Sequence, residues 1–457
     1  MKSVISGSVV GGIFISICFL VSLTAYASEA PYDLAWTRQL GTDGYDYSKS
    51  VAVDPYGNVY ISGFTTGSLG GIYAGGSTSF PGDAFLAKYN SSGTLLWKRQ
   101  LGTNDGDKSW SVAADALGNA YISGYTLGSL DGSNAGNADA FLAKYDASGN
   151  VLWTRQLGTW GWDESWSVGV DISGNIYITG YTSDGLEGPT MGYEDTFLAK
   201  YDSSGSLLWK RQLGTSDHDW SSSLALDGLG NAYITGYTRG SLYGTNAGDY
   251  DIFLAKYNSS GSLLWTRQIG TPSHDESWGV ATDGFGNVYI SGWTKGSLCG
   301  PNAGESDAFL AKYNSFGDLL WMRQIGTPFV DESWSLAVDA FGNAYISGGT
   351  AGCLDGCNAG ARDAFLAKYD PNGIPLMTCQ IGTSMDDYSL SVAVDGTGNA
   401  YISGWTNGSL GGPNAGGADV FLAKLTPAGS TIPEPGTVFM IATAVLGFAG
   451  VVWRRRR

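Results

Sequence analysis

An aspartate and a serine separated by one residue recur seven times in the sequence, and a tryptophan follows the serine in four copies. A carboxylate in such a motif often accepts hydrogen bonds from nearby backbone N–H groups, so the favoured interpretation is a cap on a loop entering a strand. The alternative is a ring of carboxylates that binds cations. The pairs are Asp46/Ser48, Asp107/Ser109, Asp163/Ser165, Asp219/Ser221, Asp275/Ser277, Asp331/Ser333 and Asp387/Ser389.

The tryptophans beside this motif are the second group that could do chemistry. Exposed indole rings next to carboxylates and amides suit sugar rings, which present both apolar and hydrogen-bonding surfaces. The alternative is that the indoles fill the interior, because large apolar side chains are usually mostly buried. The predicted ligand face consists of Trp110, Asp163, Trp166, Asp219, Trp220, Asp275, Trp278, Asp331 and Trp334.

Patterns for catalysis and metal binding are sparse. The sequence has no GxSxG, HExxH or phosphate-loop motif, so it predicts no catalytic residue. His218 and His274 lie 56 positions apart and are interpreted as solvated loop residues rather than a metal pair. Asp131, Asn134 and Asp139 could offer oxygen atoms to calcium, but no DxDxDG loop is present. We therefore predict no metal site and no cofactor, with calcium as the open alternative.

A repeat positions all of these residues. The string W-x-R-Q-L/I-G begins at six tryptophans, and a degenerate copy begins at Met377. The first interval is 61 residues, and every later one is 56. Seven copies of one unit therefore replace the several separate domains that the length of 457 residues would suggest. The six tryptophans are Trp36, Trp97, Trp153, Trp209, Trp265 and Trp321.

Each unit reads as four short strands. In the second copy we predict strands at 111–115, 120–126, 139–145 and 151–158, because β-branched and aromatic residues alternate there with small or polar ones. Four strands per unit, at a period above about 40 residues, are typical of propeller blades. The two tight turns fall at one end of each blade, and the longer connections fall at the other, where we place any binding surface.

The two ends of the repeat region complement each other. A lone fourth strand at 33–41 precedes the first unit, and the last unit has no fourth strand of its own. An N-terminal strand in that empty place would close a ring and remove exposed sheet edges. The sequence thus predicts an all-β fold over residues 33–429: a seven-bladed propeller of four-stranded antiparallel blades, closed by the N-terminal strand.

Two hairpins, AVDxxGNxYISGYT and DAFLAKYxxSGxLLW, carry a family resemblance from Asp33 to Gly429. The units resemble the SBBP-type seven-bladed β-propeller repeats of bacterial secreted proteins. That resemblance implies the fold and no catalytic activity. The second hairpin also resembles the tryptophan-docking blades of quinoprotein dehydrogenases, which implies that the fourth-strand tryptophans pack between blades. The vicinal cysteine pair that quinoprotein chemistry would need is not visible in the sequence.

Both termini read as targeting segments outside the fold. Residues 1–27 are typical of a secretory signal, with Ala25 and Ala27 at the cleavage site. In residues 430–457, a Pro-Glu-Pro triplet precedes an apolar segment at 438–453 and a basic end. This tail resembles the PEP-CTERM sorting signal of Gram-negative bacteria, which implies an exosortase-type peptidase and an organism that makes exopolysaccharide. The residues of the motif are Pro433, Glu434, Pro435, Arg454, Arg455, Arg456 and Arg457.

Charge and cysteine content narrow the functional class. The formal charge of −17 argues against binding to nucleic acid, which needs a basic surface. Disulfides are common in exported proteins, and a local Cys353–Cys357 disulfide is our first choice among the pairings.

We therefore expect an exported protein of the cell envelope or extracellular matrix. It would be a non-enzymatic binding or structural module associated with exopolysaccharide, transiently anchored in the membrane by its C-terminal segment. Its expected partners are signal peptidase, an exosortase-type peptidase and extracellular polysaccharide. The alternatives are a polysaccharide-active or quinoprotein-like enzyme with its site at the channel mouth, and a calcium-dependent adhesin.

Overall fold

The structure is a computed structural model that describes residues 32–75, 81–356 and 358–428. These residues form 28 strands, arranged as seven four-stranded antiparallel sheets, and they contain no helix. Each sheet is one blade of a seven-bladed β-propeller, so the predicted fold is confirmed. No helix long and apolar enough to cross a membrane occurs within these ranges.

The blades follow one another along the chain, and only the seventh takes a strand from the far end. Blade 1 contains β2 Asp46–Val53, β3 Val59–Thr65, β4 Asp83–Tyr89 and β5 Leu95–Leu101. Blade 2 contains β6 Asp107–Ala114, β7 Ala120–Thr126, β8 Asp139–Tyr145 and β9 Val151–Leu157. Blade 3 contains β10 Asp163–Val170, β11 Ile176–Thr182, β12 Asp195–Tyr201 and β13 Leu207–Leu213. Blade 4 contains β14 Asp219–Leu226, β15 Ala232–Thr238, β16 Asp251–Tyr257 and β17 Leu263–Ile269.

The remaining blades repeat this order. Blade 5 contains β18 Asp275–Thr282, β19 Val288–Thr294, β20 Asp307–Tyr313 and β21 Leu319–Ile325. Blade 6 contains β22 Asp331–Val338, β23 Ala344–Thr350, β24 Asp363–Tyr369 and β25 Pro375–Ile381. Blade 7 contains β26 Asp387–Val394, β27 Ala400–Thr406, β28 Asp419–Pro427 and β1 Tyr32–Leu40.

The ring closes in blade 7 as the sequence predicts. Strand β1 pairs antiparallel with β28, from Tyr32 opposite Pro427 to Leu40 opposite Val420. Because β1 supplies the fourth strand that the last unit lacks, all seven blades have the same four-stranded composition.

A tight turn joins the first two strands of every blade. In blade 1, the Gly57 N–H donates to the Asp54 carbonyl at 2.9 Å, and Gly57 has a φ of 77°, which favours glycine. The Asp54 carboxylate accepts the N–H groups of Tyr56 and Asn58, both at 2.9 Å. The repeated Asp and Gly-Asn residues thus build one end of each blade, which we call the turn face. The opposite end, with the longer connections, is the loop face.

Neighbouring blades are joined by side chains of the fourth strand. The Trp97 Nε1 group donates to the Ala147 carbonyl of the next blade at 3.1 Å, and the indole packs against Gly149. Arg99 Nε and Nη2 donate to the carbonyls of Gly149 and Ser148 at 2.8 and 3.0 Å. The fourth-strand tryptophans therefore pack between blades, as predicted.

One predicted boundary is wrong. The inner strand of blade 2 begins at Asp107 rather than Ser111, so the Asp-x-Ser motif lies within the strand. A register shift between Ser109 and Ser111 marks a β-bulge there. The extra residue disrupts the two-residue alternation on which strand prediction depends.

Several predicted features lie outside the described residues. They are the signal segment 1–27 with Ala25 and Ala27, the whole C-terminal region 430–457 with its motif, and Cys357. The signal segment with its cleavage site and the Cys353–Cys357 disulfide remain predictions from the sequence.

Candidate functional site

The β-bulge places one side chain per blade in the central channel. In blade 3, Ser165 pairs with Gly180 and Ser167 pairs with Thr179, so Trp166 between them has no partner in the register. A bulged residue bends its strand and redirects its side chain. We call this site in each inner strand the channel position. It holds Lys49, Trp110, Trp166, Ser222, Trp278, Trp334 and Leu390.

The channel contains a cavity of about 470 Å³. This volume falls within the range of about 300–1,000 Å³ that small-molecule sites usually have. Aromatic rings and a lysine dominate the walls, and serines supply the polar surface between them. The main lining side chains are Lys49, Trp110, Trp166, Trp278, Trp334, Tyr388 and Trp405.

Four of the tryptophans form a continuous arc. Trp166 and Trp278 stack with ring centroids 5.2 Å apart and planes at 18°, although blade 4 lies between their blades. Ser222 occupies the channel position of blade 4, and its small side chain leaves room for the two rings to meet. Trp110 lies 6.5 Å from Trp166, and Trp334 lies 4.7 Å from Trp278. All four indoles are half-buried, so each keeps some surface open.

Glutamates hold parts of this arc in place. Glu164 accepts hydrogen bonds from Nε1 of Trp110 at 3.2 Å and of Trp166 at 3.0 Å. Glu276 accepts one from Trp278 Nε1 at 2.7 Å and contacts His274 Nε2 at 2.6 Å. Burial raises the pKa of Glu164, although these hydrogen bonds act in the opposite direction. Hydrogen bonds as well as ring packing therefore set the orientation of these three indoles, whereas the Trp334 Nε1 group has no such partner among the described residues.

Lys49 is the one basic residue at the channel position. Its Nζ lies 5.1 Å from the ring centroid of Trp110, and it makes no hydrogen bond or ion pair with any described residue. Burial and the nearby charge of Lys108 lower the pKa of Lys49 to about 8. Both lysines contact the Phe64 ring, at 5.9 Å for Lys49 and 4.5 Å for Lys108. Lys108 interacts electrostatically with the Glu164 carboxylate, whereas no carboxylate of the described chain acts on Lys49, so Lys49 places positive charge in one sector of the cavity.

The aspartates of the repeated motif have a different role. Asp163 is fully buried, and its Oδ2 accepts the Thr159 N–H and the Thr159 hydroxyl, both at 2.7 Å. Burial raises the pKa of Asp163 to about 6. Each equivalent carboxylate holds the loop before its strand in the same way, and none lines the cavity. The aspartates concerned are Asp46, Asp107, Asp163, Asp219, Asp275, Asp331 and Asp387.

The predicted ligand face is therefore only partly assembled. Trp110, Trp166, Trp278 and Trp334 line the cavity together. Trp220 instead packs on Tyr237, with ring centroids 5.2 Å apart, outside the cavity lining. Three lining residues, Lys49, Tyr388 and Trp405, were not predicted from the sequence. An alignment of the seven units would have revealed Lys49, because the other six blades have a different residue at that position.

The remaining candidate groups lie apart from the channel cavity. His218 contacts Glu194, and His274 Nδ1 lies 3.3 Å from Asp249. Cys353 Sγ accepts the Asn358 N–H at 3.3 Å. Among residues 32–75, 81–356 and 358–428, no three His, Cys, Asp or Glu side chains are grouped so that they could hold a metal ion.

Comparison with known families accounts for the repeat. The SBBP beta-propeller repeat matches residues 35–70, 96–131, 152–187, 208–244, 264–298, 320–352 and 378–411. The chain belongs to this family. Each SBBP match begins in or beside the fourth strand of one blade and ends beyond the second strand of the next. A PEP-CTERM protein-sorting motif matches residues 431–457, which indicates an exported protein sorted to the cell envelope.

Individual relatives of this SBBP protein are distant. A WD repeat-containing protein, L264, of Acanthamoeba polyphaga mimivirus is 24% identical over 77% of this chain and 34% of its own length. The regulatory protein FlaEY of Caulobacter vibrioides is 25% identical over 80% of this chain and 42% of its own length. The chain thus spans less than half the length of either relative. Among solved structures, the WD40 propeller domain of Doa1 has 10% identity and a TM-score of 0.49, covering 86% of this chain and 97% of that chain.

Proposed function

We propose that this exported propeller is a non-enzymatic binding module whose channel cavity holds part of an acidic extracellular polysaccharide. Export and sorting bring the protein to the compartment where such a polymer is found. A sorting signal of this kind also fits a Gram-negative organism and transient anchoring through the C-terminal segment.

The tryptophan arc is the observation that carries this proposal. Four half-buried indoles, at equivalent bulges, surround one cavity of suitable volume. Indole faces bind the C–H faces of sugar rings, and nearby carboxylates and hydroxyls accept or donate hydrogen bonds.

Lys49 indicates that the ligand carries a negative charge. A half-buried ammonium group without an anionic partner is costly, and an anion supplied by a ligand would compensate it. The nearby Lys108 has Glu164 as its electrostatic partner, so Lys49 is the ammonium group of this sector that a ligand anion would pair with. A uronate would match both the unpaired ammonium group and the indole faces. Its carboxylate would lie next to Lys49, and its sugar ring would lie against the indoles.

Calorimetric titration of the full chain with matched oligosaccharides tests the proposal. We expect acidic oligouronates to bind more tightly than neutral oligosaccharides of equal length, and Trp166→Ala or Trp278→Ala to abolish binding. Lys49→Met should weaken only the acidic ligands. Trp160→Ala is the matched control, because Trp160 is 82% exposed and does not line the cavity. Equal binding by wild type and the two cavity variants, or no binding of any oligosaccharide, would refute the proposal.

A second candidate is cleavage of the same polymer by β-elimination, and the position of Lys49 favours it. A lysine with a pKa near 8 can act as a base close to neutral pH. It would remove the proton α to the uronate carboxylate, a carbon–carbon double bond would form as the β carbon–oxygen bond breaks, and the leaving oxygen would take a proton from water. Incubation at pH 8, followed by ultraviolet absorbance of the unsaturated product, distinguishes this activity from simple binding. Turnover that disappears in Lys49→Met would replace the binding role with the catalytic one.

A further inference from the structure

The turn face carries large apolar side chains that the fold leaves in solvent. Six consecutive blades each contribute one such residue, from the turn between their first two strands. The exposed fractions are 72% for Tyr56, 77% for Leu117, 92% for Ile172, 82% for Leu229, 76% for Phe285 and 76% for Phe341. We call these six residues the apolar ring.

The turns do not need these side chains. In blade 2, Leu117 contributes its backbone N–H, which donates to Asp115 Oδ1 at 2.9 Å, whereas its side chain stays in solvent. The turn itself is built by Asp115 and by Gly118, which has a φ of 78°. The residue type varies between blades while the apolar character persists. A set of exposed apolar residues on one face commonly marks an interaction surface.

Both ends of the described chain emerge at this same face. Strand β1 starts there at Tyr32, whose hydroxyl donates to the carbonyl of the turn residue Gly398 at 2.8 Å. Strand β28 ends beside it at Pro427. The apolar segment of the sorting motif begins at Val438, eleven residues further on. Eleven residues span at most about 40 Å even when fully extended, so a bilayer that held this segment would come within that reach of the turn face.

We propose that the turn face is a lipid-contact surface, and that the apolar ring seats the propeller on the bilayer that holds its C-terminal segment. The spacing favours lipid over a protein partner. One residue per blade over six blades forms a broad ring that a flat surface can meet all at once, whereas a protein partner would usually favour one sector. Aromatic and aliphatic side chains of this kind enter the headgroup region of a bilayer.

An orientation with the turn face on the bilayer is also consistent with the position of the channel cavity. The cavity reaches the loop-face half of the channel, where Tyr388 and Trp405 lie near the loop-face ends of their strands. With the turn face on the bilayer, the cavity would open away from the membrane. The lipid-contact proposal does not depend on whether the cavity binds a saccharide.

Lipid photocrosslinking of the full chain tests the proposal. The protein would be reconstituted into phosphatidylcholine vesicles doped with diazirine-bearing phosphatidylcholine, irradiated, and mapped by mass spectrometry. We expect adducts on peptides containing Leu117, Leu229, Phe285 and Phe341. Loop-face residues of similar exposure, Ile72 at 91% and Trp160 at 82%, are the matched controls and should show none.

Serine variants extend the test without disturbing the core. Replacing Leu229, Phe285 and Phe341 by serine should remove the adducts at those turns, while circular dichroism stays unchanged because the side chains are exposed. Adducts confined to residues 431–457, or equal on both faces, would overturn the proposal. Protein–protein crosslinks at the turn face in place of lipid adducts would show that the ring binds a protein and would overturn it as well.

Discussion

Tyr32 lies directly opposite Pro427 in blade 7, so the first and last described strands are held side by side in one sheet. The Tyr32 hydroxyl also lies 3.1 Å from the Tyr345 hydroxyl of blade 6, which links this closure to the preceding blade. Closure pairs the strand edges that an open row of blades would expose, and exposed edges favour aggregation. The stability of the ring should therefore depend on this one junction.

A disulfide across the junction should stabilise the ring. Asp33 faces Thr426, and facing residues of antiparallel strands have Cα atoms about 4.5–5.5 Å apart, within the range for a disulfide. The double variant Asp33→Cys and Thr426→Cys should form this bond in the native state and raise the free energy of unfolding by about 2–4 kcal/mol. Peptide mapping identifies the bond, and denaturant unfolding gives the energy. The single Asp33→Cys variant is the control, and failure to form the bond under oxidising conditions would argue against closure.

The buried aspartates predict greater stability at mildly acidic pH. Burial raises the pKa of Asp107, Asp163 and Asp219 to about 6, above the value of 3.8 for an unperturbed aspartate. Between these values the native state binds protons that the unfolded state does not. As the pH falls from 6 towards 4, each of these groups therefore raises the free energy of unfolding by at most about 1.4 kcal/mol per pH unit.

Thermal unfolding between pH 4 and 7 measures this effect. In Asp219→Asn the amide oxygen still accepts from Thr215, but the group no longer titrates, so the slope of stability against pH should decrease. Asp43→Asn is the control, because Asp43 is exposed. A melting temperature that falls steadily from pH 6 to pH 4 would contradict the raised pKa values.

The hydrogen bonds between blades predict that substitutions of two neighbouring residues, Arg99 and Lys98, lower the free energy of unfolding by different amounts. Arg99→Met removes charged donors from the carbonyls of Ser148 and Gly149 in the next blade and should lower the free energy of unfolding by about 1–3 kcal/mol. Lys98→Met should change stability little, because that side chain makes no hydrogen bond with any of the described residues. Equal effects of the two substitutions on urea unfolding would show that the bonds to the next blade contribute nothing.

The repeat made most of the fold predictable, because one unit copied seven times reveals strand number, turn positions and closure together. The site was harder to predict for a physical reason. Its side chains are placed by the β-bulge, which shifts Trp110 and its equivalents out of the alternation used to read strands. Lys49 was missed because a repeat is recognised by residues that its units share, whereas Lys49 occurs in one unit alone. The Asp163 carboxylate was placed on the ligand face, although burial and its bonds to Thr159 give it a local role.

Two glycines interrupt the repeat pattern of the inner strands, and the structure agrees with that pattern at one of them and disagrees at the other. Gly169 replaces the alanine that most inner strands have at that position, and Gly279 replaces a serine found in the other six. A Cβ added at Gly169 would lie 3.4 Å from Leu224 and Leu226, which is an ordinary contact. A Cβ added at Gly279 would lie 2.8 Å from the backbone nitrogen and Cβ of Leu336, which requires the two inner strands to separate.

Restoring the common residue should therefore stabilise one site and destabilise the other. Gly169→Ala should raise the free energy of unfolding by about 0.5–1 kcal/mol, because alanine loses less backbone entropy on folding. Gly279→Ser should lower it by about 1–3 kcal/mol through overpacking against blade 6. Urea unfolding of both variants gives the two signs in one experiment. If both substitutions stabilise the protein, the close approach of β18 to β22 is not a feature of the folded ring, and the repeat pattern alone would be the better guide.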